Sequence, residues 1–155
     1  MKLLALDTSS EACSVAISSK GKIFESHFIE AKSHTRVLLP AIMAMLDVAK
    51  LNMDEIDAVV LGIGPGSFVG MRIGASVAQG LAFASNIKII PISSMETIAL
   101  EVMLIHSLSE IVVMQNARMN EVYVGEYKIC ADGLTEIITP VKLQTISESI
   151  SEYSN

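Results

Sequence analysis

The first residues able to do chemistry are Asp7 and Thr8, which with two serines follow a short apolar run at the start of the chain. An aspartate at the end of a strand could hold a metal–phosphate complex. The loop that follows has no glycine, however, so its backbone cannot approach a phosphate closely. We therefore predict that Asp7 caps a turn, and we retain Asp7 and Thr8 as candidates for a polar crevice.

A glycine-rich segment from Gly62 to Gly80 raises the question of phosphate binding. It fails the dinucleotide fingerprint because Ser67 stands where the third glycine is needed. It also fails the P-loop pattern, because the segment contains no lysine. A glycine turn that leads into a helix can still receive an anion on its free N–H groups. Gly66 and Ser67 are therefore the candidate anion-binding residues.

The other reactive side chains do not form a complete catalytic set. No two of the three histidines are spaced to ligate a metal from one helical face: His27, His34 and His106. We expect His34 to be exposed or to lie beside a partner surface. The candidate serine nucleophiles have no visible histidine base: Ser14, Ser67 and Ser94. Arg118 lies in a polar loop between two predicted strands and completes the list of crevice candidates.

Composition limits the protein classes that this chain can belong to. Of its 155 residues, 51% are hydrophobic and 18% are charged, which predicts a folded chain with a core and excludes disorder. The net charge of −6 excludes a nucleic-acid binder that acts alone, because such proteins need a basic surface. Cys13 and Cys130 are expected to be buried, reduced thiols. We see no membrane span and no signal peptide, so we expect a cytoplasmic protein.

The hydrophobic pattern predicts an α/β protein with two related lobes. Alternating apolar residues and helical spacing give the first lobe, residues 1–106, the order βββαβαβα. Its first helix begins at Ser33 as N-cap and is kinked by Pro40. The second lobe, residues 107–155, has the order βββα, with a capping box from Thr145 to Glu148 at its helix. We interpret this as a duplicated unit whose second copy is incomplete.

Small residues recur every four positions along the second helix of the first lobe. This stripe consists of Gly66, Gly70, Gly74, Ala78 and Ala82. Glycine inside a helix costs about 1 kcal/mol relative to alanine, so repeated glycine indicates close backbone approach. Two interpretations are equally good at this point. The stripe either contacts another chain or packs against the first helix of the same lobe.

Several motifs together resemble the bacterial TsaB (YeaZ) proteins. The most specific runs from Gly64 to Gly74 and reads Gly-Pro-Gly-Ser-Phe-Val-Gly-Met-Arg-Ile-Gly. The others are Ala5-Leu6-Asp7-Thr8-Ser9, Cys13-Ser14-Val15-Ala16, Ser33-His34 before Leu38-Leu39-Pro40, Ser93-Ser94-Met95-Glu96 and Ala117-Arg118-Met119-Asn120-Glu121-Val122-Tyr123. The resemblance covers residues 1–127, and it is strongest in the first lobe.

The resemblance implies the actin-like, Hsp70-like ATPase fold (ribonuclease H-like) and a role in forming threonylcarbamoyl-adenosine at position 37 of tRNA. It further implies that the chain is a non-catalytic subunit that pairs with the catalytic paralogue TsaD and the ATPase TsaE, or forms homodimers alone. Transfer RNA would be reached only through that complex, and ATP or ADP would bind only at a partner junction. The expected partner surface consists of Arg36, Leu39, Met43, Met45, Gly70, Gly74 and Ala78.

Two comparisons within that resemblance bear on catalysis. The paralogue holds its metal through His-x-x-x-His, and those positions fall on Ser94 and Ile98 here, neither of which replaces a histidine ligand. Asn116 stands where the family usually has Asp, and the family's second lobe continues beyond Asn155. The alternatives are a metallopeptidase or nucleotide hydrolase that uses Asp7 and the turn at 64–66, or a regulatory homodimer.

Overall fold

The computed structural model describes residues 1–29 and 34–154. Its first part contains a five-stranded mixed sheet in the order β3-β2-β1-β4-β5. The strands are β1 (Leu3–Asp7), β2 (Ala12–Ser19), β3 (Lys22–Ile29), β4 (Ala58–Gly62) and β5 (Lys88–Ile92). The first three are antiparallel, and β4 and β5 run parallel to β1. Lys20 and Gly21, both at positive φ, form a two-residue turn between β2 and β3.

Two helices cover one face of this sheet. Helix α1 (His34–Ala49) continues through Pro40. A short 3₁₀ turn at Met53–Glu55 precedes β4, and helix α2 (Phe68–Ser85) follows β4. The predicted N-cap Ser33 lies outside the described residues. Leu4 and Leu6 on β1, with the alternate residues of β2 and β4, meet the apolar faces of both helices in one core. The period-two and period-3.6 patterns therefore point to the same core.

The second sheet has three antiparallel strands in the order β6-β7-β8. Helix α3 (Ser94–His106) precedes strands β6 (Glu110–Arg118), β7 (Glu121–Ile129) and β8 (Thr135–Thr145), and helix α4 (Ile146–Tyr153) follows them. The predicted capping box is confirmed, since Thr145 and Glu148 satisfy each other's backbone N–H groups. The whole order of strands and helices agrees with the pattern predicted from the sequence.

The boundary between the two parts differs from the predicted one. The chain divides into the compact units Met1–Ser93 and Ser94–Asn155, so α3 belongs to the second unit and not to the first. The reason is its buried face, on which Met95, Ala99 and Met103 pack against Val113 and Tyr127 of the second sheet. Among the described residues, no helix has the length and apolar character needed to cross a membrane.

Candidate functional site

The loop after β1 is held in place by its own side chains. The Asp7 carboxylate accepts a hydrogen bond from the Ser9 N–H at 2.6 Å, which is the turn-capping contact that the sequence predicts. The carboxylate also lies so close to Gly62 on β4 that a Cβ there would overlap it. Thr8 is buried, and its hydroxyl donates to the Gly70 carbonyl at 2.7 Å. Asp7 is therefore engaged within its own loop, and Thr8 is bound to helix α2 of the same unit.

The N-terminus of α2 is closed by the same loop. The N–H of Ser67 donates to the Ser9 carbonyl at 2.5 Å, and the N–H of Gly70 donates to the Ser67 hydroxyl at 3.2 Å. A Cβ on Gly66 would overlap the Ser9 carbonyl oxygen. An anion bound at Gly66 and Ser67 needs free N–H groups in this turn. A carbonyl and a hydroxyl already use the N–H groups of Ser67 and Gly70, so these two are not available to an anion.

The small-residue stripe of α2 faces its own sheet, which corrects the predicted partner surface. Gly70, Gly74 and Ala78 are buried. A Cβ on Gly70 would overlap the Thr8 carbonyl oxygen, and one on Gly74 would contact the Thr8 hydroxyl and Leu6. The three residues are therefore unavailable to another chain. The close approach that glycine permits is made to the end of β1, and not to α1 as the alternative interpretation held.

The remaining partner-surface residues divide into exposed and inward-facing ones. Arg36, Leu39 and Met43 are exposed on α1, with Leu39 and Met43 at 49% and 65%. Met45 is half-buried and packs against the core of its own unit. The structure therefore leaves Arg36, Leu39 and Met43 as the exposed part of the predicted surface.

Helix α2 adds exposed apolar residues that the sequence analysis missed. Phe68 and Val69 are 63% and 65% exposed, and the Arg72 guanidinium stacks over the Phe68 ring at 3.7 Å. They lie off the small-residue stripe, so helical periodicity could have found them once the stripe was assigned to the interior. We call Leu39, Met43, Phe68 and Val69 the outer helix surface.

Two histidines have surroundings that the sequence did not predict. His34 is buried rather than exposed, and its Nε2 lies 3.2 Å from the Ser10 carbonyl oxygen. The Nδ1 of His27 lies 2.8 Å from the Ser14 hydroxyl, so Ser14 does have a histidine neighbour, brought opposite it by the β2–β3 register. Strand β2 is paired on both sides, so the N–H groups around Ser14 are not free to form an oxyanion hole.

In the second unit, Arg118 lies at the tip of the β6–β7 hairpin and not in an open loop. It is exposed at a φ of 68°, and its N–H donates to the Asn116 side chain at 2.7 Å. Ser94 begins α3, and Ile98 is 44% exposed on it. Within residues 1–29 and 34–154, no three His, Cys, Asp or Glu side chains come together as a metal site. Arg118 therefore lies on a polar hairpin tip of the second unit, and the described residues there form no cluster of metal ligands.

The two cysteines differ in exposure. Cys13 is buried as predicted, and burial raises the pKa of its thiol. Cys130 is only half-buried, contrary to the prediction, and its thiol donates to the Glu136 carboxylate at 3.3 Å. That hydrogen bond, with partial burial second, raises the pKa of the Cys130 thiol. A raised pKa lowers the thiolate fraction, so neither cysteine has the character of a nucleophile.

The fold and the sequence together define the class of this protein. The sequence profile of the family TsaD, tRNA N6-adenosine threonylcarbamoyltransferase, matches residues 28–148. The solved structure of YeaZ from Pseudomonas aeruginosa superposes with a TM-score of 0.87 at 34% identity, covering 93% of this chain and 67% of that one. The predicted actin-like, Hsp70-like α/β fold is thereby confirmed.

Curated relatives narrow the class to one family. The tRNA threonylcarbamoyladenosine biosynthesis protein TsaB of Escherichia coli is 36% identical over 158 residues, covering 99% of this chain and 68% of the relative. The TsaB of Haemophilus influenzae is 42% identical over 126 residues, covering 81% of this chain and 53% of the relative. The chain belongs to the TsaB (YeaZ) family. It spans between about half and two thirds of the length of these relatives.

Proposed function

We propose that this chain is a non-catalytic subunit of the machinery that forms threonylcarbamoyl-adenosine at position 37 of tRNA in the cytoplasm. In this proposal it pairs with a catalytic paralogue of the TsaD type and works with an ATPase of the TsaE type. Membership in the TsaB family supports the pathway, since its relatives are named for tRNA threonylcarbamoyladenosine biosynthesis. The net charge of −6 supports contact with tRNA through the complex and not through this chain alone.

Two features support a subunit role over catalysis. The family resemblance aligns Ser94 and Ile98 with the paralogue's metal-binding histidines, and an isoleucine side chain has no ligand atom. The N–H groups of Ser67 and Gly70 are engaged inside the unit, which disfavours phosphate binding there. ATP or ADP would therefore be held only where a partner supplies further groups. These same features disfavour the metallopeptidase and nucleotide hydrolase alternatives.

The observation that carries the proposal is the outer helix surface. Leu39, Met43, Phe68 and Val69 are each about half exposed or more, on two helices whose opposite faces pack on the sheet. Large apolar side chains that stay exposed are typical of protein–protein interfaces. Arg36 on the same face of α1 and Arg72 over Phe68 give that surface charged margins. A partner that covers it would remove these apolar groups from water.

The test is the affinity for the TsaD-type protein of the same organism, measured by isothermal titration calorimetry. We expect the double substitution Leu39→Asp/Met43→Asp to weaken binding at least about tenfold, because it buries two carboxylates in the interface. Ile23→Asp on β3, at a residue 70% exposed, is the matched control and should bind as the unmodified chain does. Equal affinity of the double variant and the control would refute this surface.

A further inference from the structure

One loop of the first unit holds the starts of both helices that carry the outer helix surface. The loop consists of Thr8, Ser9 and Ser10, which follow β1. On the side of α2, the Thr8 hydroxyl donates to the Gly70 carbonyl at 2.7 Å, and the Ser9 carbonyl accepts from the Ser67 N–H. Because Ser67 is the N-cap residue of α2, the loop holds that helix by its first turn.

On the other side, a single side chain joins the loop to α1. The Nε2 of His34, the first residue of α1, lies 3.2 Å from the Ser10 carbonyl oxygen. A carbonyl oxygen only accepts, so Nε2 carries the hydrogen and donates it. His34 is 5% exposed, and its Nδ1 has no hydrogen-bond partner within residues 1–29 and 34–154. The ring is therefore buried for one hydrogen bond, which is at the long end of the usual range.

These contacts run in series from α1 to α2. Neighbouring peptide groups of a loop are joined by covalent bonds, so a shift of the Ser10 carbonyl also shifts the Ser9 carbonyl, which holds Ser67. The Asp7 carboxylate accepts a hydrogen bond from the Ser9 N–H at 2.6 Å and limits the other conformations of the loop. The relative position of the two helix starts therefore depends on the bond between His34 and Ser10.

We propose that His34 is a positioning residue of the outer helix surface, because its bond to Ser10 sets the start of α1 relative to the start of α2. A protein that binds both helices at once favours one relative position of them, and the coupling between that binding and the bond is reciprocal. Loss of one hydrogen bond between neutral groups limits the effect to about three- to tenfold. The effect on a partner rests on the proposed function, whereas the coupling between the helices does not.

Two amide substitutions separate the hydrogen bond from the rest of the side chain. In His34→Gln the amide nitrogen reaches the position of Nε2 and donates to the Ser10 carbonyl. In His34→Asn the amide nitrogen reaches only the position of Nδ1, so the bond is lost while a polar amide remains. His27→Asn is the matched control, because it breaks a histidine–serine bond of 2.8 Å at an exposed side chain of β3 that takes no part in the loop.

Hydrogen exchange of the free chain, followed by NMR, tests the coupling between the helices. The N–H of Ser67 and that of Met71, which donates to the Ser67 carbonyl at 2.9 Å, report on the first turn of α2. We expect both to exchange about three- to tenfold faster in His34→Asn, and at the unmodified rate in His34→Gln and His27→Asn. Unchanged exchange in His34→Asn, or equal acceleration in the two His34 variants, would overturn the inference.

The coupling must also be measurable in the opposite direction. Thr8→Val releases the loop from α2, and we expect the N–H of Leu38, in the first turns of α1, to exchange faster in this variant. This measurement does not require that the His34 variants fold. An unchanged rate at Leu38 would contradict the coupling.

The affinity for the TsaD-type protein, measured by isothermal titration calorimetry, tests the positioning role. We expect the dissociation constant to rise about three- to tenfold in His34→Asn and to be restored in His34→Gln. Faster exchange at Ser67 together with an unchanged dissociation constant would refute that role. If the unmodified chain does not bind the TsaD-type protein, the proposed function fails, and the exchange rates still decide whether the helices are coupled.

Discussion

Replacing Gly70 by alanine tests directly which way the stripe of α2 faces. Alanine favours a helix over glycine by about 1 kcal/mol, so an exposed site would gain stability. At Gly70 the added Cβ would instead overlap the carbonyl oxygen of Thr8, a backbone atom that moves only with its loop. The two effects have opposite signs, and their sizes decide the outcome.

The structure gives the magnitude of the unfavourable term. Forcing a methyl group into a packed site costs about 1–3 kcal/mol. Moving the loop also breaks the buried bond from the Thr8 hydroxyl to the Gly70 carbonyl, 2.7 Å long, and leaving such a group unpaired costs about 1–3 kcal/mol. After the gain in helix propensity of about 1 kcal/mol, we expect Gly70→Ala to destabilise the first unit by about 1–5 kcal/mol.

The assay is urea denaturation followed by circular dichroism. Gly80→Ala is the matched control in the same helix, because its Cβ meets open space, and it should stabilise by up to about 1 kcal/mol. The reasoning is refuted if Gly70→Ala is as stable as Gly80→Ala. In that case the stripe would not press on the loop after β1, and it would again be available to a partner.

Three further outcomes are expected from single hydrogen bonds. Thr8→Val keeps the shape of a buried side chain but removes its hydroxyl, and thermal or urea unfolding should show a loss of about 1–2 kcal/mol. The hydrogen bonds from the Thr145 hydroxyl and N–H lower the pKa of Glu148. The stability that these bonds give is present above the ordinary glutamate pKa, and it is lost as the pH falls through the lowered pKa of Glu148. The melting temperature measured between pH 7 and pH 3 should therefore fall less steeply for Glu148→Gln than for the unmodified chain. Glu136→Gln removes the main cause of the raised Cys130 pKa, and alkylation of Cys130 by iodoacetamide at pH 8 should become faster; an unchanged rate would contradict this cause.

Sequence patterns that span only a few residues were sufficient to predict most of the strands and helices. The capping box from Thr145 to Glu148 depends on neighbours within a few residues, so the sequence places it correctly. The alternation along β1 and β2 likewise identifies the side chains that face the core. Periodicity does not say which sheet a helix covers, so α3 was assigned to the wrong unit.

In the candidate site, too, contacts between near neighbours follow from the sequence, whereas contacts between distant residues do not. Asp7 as a turn cap follows from its own residue type and the two residues after it. The pairing of Ser14 with His27 needs the register of two strands, and the burial of His34 needs the loop that contains Ser10. Such contacts join residues far apart in the chain, and a single sequence without its fold does not rank them.

The sequence by itself determined the order of the strands and helices, the family resemblance and the lack of the paralogue's histidines at Ser94 and Ile98. Only the tertiary structure decided that Gly70 and Gly74 face β1 while Leu39, Met43 and Phe83 face solvent. The physical reason is that small residues suit close packing equally well within a chain or between chains. The distance between a helix and the strand beneath it distinguishes the two, and that distance exists only once the chain has folded.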